Sequence, residues 1–185
     1  RNEDLAVWSN DRTDCDDVRA QRLSAKGALL GGPFYIAAGC PADRRYPDVT
    51  FNSLSGEYLV VWEEEDYTHV TGNSRIMAQR VAGTGGNIGA RITIADNSIY
   101  NWIRNSSPAV AYAYTSNKFL VVWAQSFQPA VSSDIVGQAL NSTGSLSGEK
   151  IFIYDDPGDS SGRRGLEPDL AYNVSRNEYL VAWEY

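Results

Sequence analysis

One apolar segment ending in tryptophan recurs four times along the chain: LAVW at Trp8, YLVVW at Trp62, FLVVW at Trp123 and YLVAW at Trp183. The intervals are 54, 61 and 60 residues. Other landmarks keep the same order. PDVTFN, PAVAYA and PDLAYN start at Pro47, Pro108 and Pro168, and glutamine returns at Gln21, Gln79 and Gln138. A spaced glycine pair follows each glutamine: Gly27/Gly31, Gly85/Gly89 and Gly144/Gly148. Landmarks that return at a fixed period mark one supersecondary unit, copied and stacked so that each copy buries its neighbour's apolar face. The opening RNEDLAVW and the closing RNEYLVAWEY are the same phase of that period.

Each period reads as four short strands, rich in Val, Ile, Tyr and Trp and parted by Gly, Ser, Asn and Asp clusters. In the second period these are PDVTFN, EYLVVWE, RIMAQRVA and RITIAD. No segment has a helical apolar period. The tryptophan strand is apolar on both faces, Tyr58, Val60 and Trp62 on one and Leu59 and Val61 on the other. Such a strand needs a sheet above it and another below. The proline strand carries small residues, Ala109, Ala111 and Ala113, suited to a crowded axis, and the fourth strand turns polar at Asp96 and Asp155. The expected fold is therefore all-β, a β-propeller of four-stranded antiparallel blades with about three blades in the chain. Residues 1–185 form a single propeller region, with repeats at about 1–46, 47–107 and 108–167 and a partial repeat at 168–185.

The stretch YLVVWEEED followed by RIMAQRVAGTGGNIGARITIAD resembles the blades of secreted bacterial propeller repeat proteins, and is similar to TolB-type and WD40-like blades. The resemblance covers the whole chain and implies fold rather than activity, because propellers carry many unrelated functions. Closed propellers have about 4–8 blades. Two arrangements follow: a homodimer that completes a six-bladed ring, or a fragment of a longer array. The chain opens without methionine or an apolar leader, so Arg1 reads as a processing boundary.

The two ends of the expected blades differ. One end has short, uniform turns such as NSLSGE and YTSNK. The other has long, unlike loops, including SNDRTDCDD, EEEDYTHVTGNS and DNSIYNWIRNSS. Variable loops on a rigid scaffold are where function concentrates. An arginine precedes each proline strand, at Arg44 or Arg45, at Arg104, and at Arg163 or Arg164. Guanidinium forks near the axis suit carboxylate, phosphate or sugar hydroxyls; the plainer role is to tie a loop to the neighbouring blade, for instance to Asp48 or Asp169. Tyr46, Tyr100 and Trp102 in the same loops offer ring faces to a sugar, or pack the loops. The candidate ligand site is thus Arg45, Tyr46, Tyr100, Trp102, Arg104 and Arg164.

Asp11, Asp14 and Asp16 crowd one loop and offer hard oxygen ligands to Ca²⁺, although the glycine and terminal glutamate of an EF-hand loop are missing. No other cofactor is implied. Cys15 and Cys40 reach the same end of one sheet and can form a disulfide, which belongs to an oxidising compartment. The run Glu63–Asp66 offers paired carboxylates for glycoside hydrolysis, but an acidic run leaving a strand is ordinarily solvated. His69 is the only histidine. The buried glutamines read as inter-blade or strand-edge links. Three glycosylation sequons start at Asn105, Asn141 and Asn173.

Net charge is −7, which argues against a nucleic-acid partner. No run of 18 apolar residues exists to span a membrane as a helix. The expected function is a non-catalytic, secreted or cell-surface binding module that takes a glycan or protein on its long-loop face. The alternatives are a propeller glycoside hydrolase or lyase, and a structural segment of a large adhesin.

Overall fold

The computed structural model describes residues 3–11, 14–66, 74–96, 103–127, 132–155 and 165–185. Among them lie thirteen strands and no helix. β1 (Glu3–Asn10), β2 (Asp17–Ser24) and β3 (Leu29–Ala37) form the first sheet. β4 (Ala42–Asn52), β5 (Glu57–Asp66), β6 (Ser74–Ala82) and β7 (Asn87–Ala95) form the second. β8 (Ile103–Ala113), β9 (Lys118–Phe127), β10 (Ser132–Asn141) and β11 (Leu146–Tyr154) form the third. β12 (Leu166–Asn173) and β13 (Glu178–Glu184) form a two-stranded fourth. All pairings are antiparallel and sequential. β8 lies against both β4 and β12, so the inner strands line one hub. The fold is a β-propeller of four-stranded blades.

One face-to-face contact is repeated between blades. Leu59, Val61, Ile76 and Ala78 of the second sheet pack against Phe119, Val121, Trp123, Val136 and Leu140 of the third. Leu5, Val18, Ala20 and Ile36 of the first meet Tyr58, Val60, Trp62 and Met77 of the second. Ala109, Ala111, Leu120 and Val122 of the third meet Leu170, Tyr172, Tyr179 and Val181 of the last. Trp62 is 0 % exposed and Trp123 1 %. Burying one such side chain contributes roughly 2–3 kcal/mol.

Two bulges recur in the blades. In the inner strand, Tyr46-Pro47 stand opposite Trp62, Ser107-Pro108 opposite Trp123, and Glu167-Pro168 opposite Trp183. The residue before each proline is left-handed, with φ of 51°, 50° and 47°. Proline has no N–H for the ladder, so it is accommodated where the pairing is already interrupted. The interruption lets the strand resume beyond it. The inner strands therefore start at Ala42 and Ile103, several residues before the proline motif that sequence reading takes as their beginning.

The outer bulge explains the glutamines. Between Ala78↔Ile92 and Arg80↔Ile88, Gln79 alone faces three residues of β7. The same happens at Gln21 and Gln138. The freed carbonyls need donors. Gln79 Nε2 donates to Arg80 O at 3.0 Å and Ile88 O at 2.9 Å, and Gln21 to Arg22 O at 2.8 Å and Leu30 O at 3.1 Å. Gln138 bonds Ala139 O and Gly148 O, both at 3.1 Å. The glutamines are strand-edge links within a blade. The second glycine of each pair lies inside the outer strand with positive φ, at Gly31, Gly89 and Gly148, rather than in the turn.

Removing one of these donors strands buried carbonyls. Gln79→Leu is expected to cost about 2 kcal/mol in urea unfolding, with Gln138→Leu costing a similar amount.

Candidate functional site

Among the described residues, the long-loop end of the hub is built by the inner strands, the acidic end of β5 and the segment before β2. Arg44 and Arg45 lie on β4 and Arg104 on β8, in the segments that precede the proline bulge. Glu63, Glu64 and Glu65 lie on β5 in register with Arg45, Arg44 and Asp43. Sequence alone places both runs in loops. The proline bulge corrects this, because it allows β4 to pair with β5 again beyond Trp62.

Carboxylates hold every one of these arginines. Arg45 Nε donates to Asp16 Oδ2 at 2.7 Å, Arg45 Nη2 bonds Asp43, and Glu65 lies 3.9 Å from Arg45 Nη1. Arg104 Nη2 meets Glu63 Oε1 at 3.0 Å and Glu65 Oε2 at 3.8 Å. Arg44 Nε donates to Glu64 Oε2 at 2.8 Å, which also accepts from Arg91 Nη1 at 3.1 Å. The arginines do tie blades together, but through Asp16, Glu63 and Glu65. Asp48 does something else: its Oδ2 accepts the Val110 N–H of the next blade at 2.7 Å.

The acidic run is not solvated. Glu63 is 2 % exposed and Glu64 5 %. Burial pushes the Glu63 carboxyl above its usual range, although Arg104 and the Ser107 amide pull the other way. Glu63 Oε2 is buried without a hydrogen-bond partner. By contrast, the Arg45 and Arg104 side chains are each 40 % exposed, and Tyr46 is 55 % exposed. Tyr46 has a left-handed backbone and an exposed side chain, and its phenol is near enough to Arg104 to act on that charge.

The structure brings Arg45, Tyr46 and Arg104 to one end of the hub; Tyr100, Trp102 and Arg164, like His69, lie outside the described residues. Asp11 and Asp14 are exposed, while Asp16 faces Arg45. Among the described residues no group of three His, Cys, Asp or Glu side chains is placed to hold a metal ion. Cys15 and Cys40 form a disulfide with Cα atoms 5.6 Å apart. Asn105 is fully buried. Its Oδ1 accepts from Trp123 Nε1 at 2.9 Å and Gln125 Nε2 at 3.0 Å, and its Nδ2 donates to Ser74 O. That sequon is closed to modification in the folded chain. Arg44 takes the Asn105 position in the second blade and offers only donors, so Trp62 Nε1 lacks the acceptor that Trp123 has. Sequence reading missed Asp43, Glu63 and Glu65 as members of the cluster. Their only signal was strand-compatible spacing beside the arginines.

Three solved structures share this architecture. A thermostable family-43 glycoside hydrolase superposes with a TM-score of 0.65 at 11 % identity, over 99 % of this chain and 62 % of its own. The endo-arabinase from Bacteroides thetaiotaomicron gives 0.62 at 13 %, over 99 % and 66 %. An N-acetylgalactosamine deacetylase from F. plautii, solved with blood group B trisaccharide, gives 0.59 at 11 %, over 98 % and 61 %. The chain thus spans under two thirds of each, and the likeness is one of fold. No protein-family model matches the chain, and no curated protein is similar to it in sequence.

The buried Glu63 makes stability depend on pH. Its folded-state pKa is raised, so its contribution is fully present below the unfolded carboxylate value of 4.5 and is lost as pH rises through the folded value. Glu63→Gln should match the wild type at pH 4 and become the more stable chain by pH 7. Thermal unfolding across that range checks it; equal pH slopes for the two chains contradict it.

Proposed function

We propose that this chain is a non-catalytic carbohydrate-binding propeller module of an oxidising, extracellular compartment. Its ligand is a neutral saccharide at the long-loop end of the hub. The observation that carries this is the half-exposed pair Arg45 and Arg104, each already held by carboxylates, beside the exposed ring of Tyr46. Asp16, Asp43, Glu63 and Glu65 outnumber those two guanidinium groups two to one, so an anion is disfavoured there. A guanidinium pinned by acids still offers its outward N–H donors in a fixed plane. Sugar hydroxyls need fixed donors and a ring face to stack on. The Cys15–Cys40 bridge supports the compartment, and the saccharide chemistry named for the structural neighbours accords with the ligand class.

One observation favours a second reading, a propeller glycoside hydrolase. A buried carboxyl with a raised pKa, as at Glu63, is the state a proton donor to a glycosidic oxygen requires. Turnover of arabinan or aryl glycosides that disappears in Glu63→Gln establishes that reading instead.

The binding reading is tested on a neutral glycan array, followed by calorimetry on the best ligand. Arg104→Ala and Tyr46→Gly should each weaken binding about tenfold. Glycine suits the left-handed backbone at position 46, so the second variant removes the ring without strain. An array without a single neutral ligand, or variants that bind as the wild type does, overturns it.

A further inference from the structure

The junction between the first two sheets departs from the pattern of the other two. Ser74 and Ser133 stand five residues before Gln79 and Gln138, at the start of β6 and β10. Each serine hydroxyl ties its blade to the next. Ser74 Oγ donates to Asn105 O and accepts from Asn105 N at 2.8 Å, and Ser133 Oγ donates to Gly165 O at 2.8 Å. The same place before Gln21 holds Asp16. An ionised carboxylate only accepts hydrogen bonds. Asp16 therefore has no proton for the carbonyl of Arg44, the residue that matches Asn105 and Gly165. Of the three described junctions this one lacks the hydroxyl tie, and it is the one that carries the Cys15–Cys40 bridge.

The bridge and the hub share their neighbours. Cys15 precedes Asp16, and Cys40 lies in the link from β3 to β4. Asp16 N donates to Asp43 Oδ1 at 2.9 Å, Asp16 O accepts from Arg44 N at 3.2 Å, and Asp16 Oδ2 accepts from Arg45 Nε at 2.7 Å. On the other side of the bridge, Gly39 N donates to Asp17 Oδ1 at 3.0 Å, and Gly39 O accepts from Arg44 Nη1 at 2.8 Å. The disulfide thus closes a strap whose two ends hold the adjacent arginines of β4. A covalent tie beside position 16 takes over from the serine, and the position is free to carry a carboxylate to Arg45.

We propose that the Cys15–Cys40 disulfide is a redox-controlled positioning device for the hub: closed, it holds Asp16 on Arg45, and opened by a dithiol reductant it lets the segment before β2 withdraw and loosens Arg45. Cys15 is buried and Cys40 is exposed. A thiolate of the dithiol attacks the Cys40 sulfur, the S–S bond breaks and Cys15 leaves as thiolate. The reagent's second thiol then displaces Cys40 and closes the reagent's own disulfide, so that two electrons and two protons end on the cysteines. Asp43 and Glu65 stay beside Arg45 after reduction, so its charge remains balanced while its fork loses a fixed direction. That this weakens the hold on a neutral saccharide rests on the reading of the hub given above; the coupling of the bridge to the ion pair does not.

The test reads Arg45 directly, as the rate at which phenylglyoxal modifies each arginine, followed by peptide mass spectrometry. Wild type is compared before and after reduction with dithiothreitol, beside Cys15→Ser/Cys40→Ser and Asp16→Ser. Arg45 is expected to react about fivefold faster in the reduced wild type and in the double cysteine variant. Arg80, paired with Glu57 at the short-turn end of the second blade, should keep its rate and serves as the folding control. Asp16→Ser, which restores the serine of the other junctions, should give the faster rate with the bridge intact, and reduction should add nothing to it. An Arg45 that ignores reduction, a further rise in reduced Asp16→Ser, or Arg45 and Arg80 rising together overturns the proposal; the last makes the bridge a general staple. A neutral glycan array is run on the oxidised and reduced chains, and the same ligand with a weaker signal is expected after reduction. An empty array with the Arg45 response intact removes the saccharide reading and leaves the coupling standing. A ligand on the array with an Arg45 that ignores reduction removes the coupling alone.

Discussion

The structure depends on one contact, made in turn at each junction: the Leu-x-Val face of one tryptophan strand lies on the aromatic-x-Val face of the next, Tyr58/Val60, Phe119/Val121 and Tyr179/Val181. A strand that is apolar on both sides cannot rest at the surface, so each blade requires a neighbour on either side. Trp62 and Trp123, both shut off from solvent, mark the two junctions in which the contact is complete. The last strand shows the opposite case. Leu180 on the outward side of β13 is 70 % exposed, although Leu59, its counterpart in the second blade, is fully buried.

Close packing of like sheets confines irregular backbone within the strands to bulges, and the arginines of the hub and the strand glutamines lie at or beside them. The inner bulge places a left-handed residue and a proline over each tryptophan. It frees the strand beyond it to carry Arg45 into a ladder with the acidic end of β5 and Arg104 into a ladder with β9, from which Arg104 reaches Glu63 of the neighbouring blade. The outer bulge leaves carbonyls that a glutamine amide satisfies from within the same blade. The carbonyls at the outer bulge are thus paired within the blade, and the inter-blade surfaces stay apolar through the middle of each sheet. Direct polar ties between blades sit at the rims and the hub: Arg44 N donates to Asp16 O and Gly165 N to Ser133 O at the long-loop end, Asp48 accepts from Val110 at the hub, and Tyr58 Oη donates to Glu3 O and Arg22 Nη1 to Thr84 O at the short-turn end.

The charge cluster at the hub end is a consequence of geometry more than of composition. Four carboxylates and two guanidinium groups drawn from β4, β5, β8 and the segment before β2 converge because three blades meet there. Each arginine is neutralised but keeps its outward donors. The internal copies act as controls for such readings. Ser74 and Ser133 show what the Asp16 position carries where no disulfide lies beside it, and Asn105 shows what Arg44 displaces.

The repeat, the strand content, the two-sided burial of the tryptophan strands and the pairing of Cys15 with Cys40 were legible in the residues themselves, because alternation, period and loop position are local quantities. The extent of the inner strands was not. Proline and a turn-forming neighbour read as a strand start, and only the sheet shows that pairing resumes on the far side of the bulge. The acidic run failed for the same reason: Glu63 to Asp66 reads as a solvated exit until β4 is seen lying beside it. What the amino-acid order determined by itself is a stack of like blades, since each copy carries the apolar faces that demand the next. What tertiary structure alone decided is which charges meet, since an ion pair such as Arg104 with Glu63 joins residues 41 positions apart and exists only once two blades have packed.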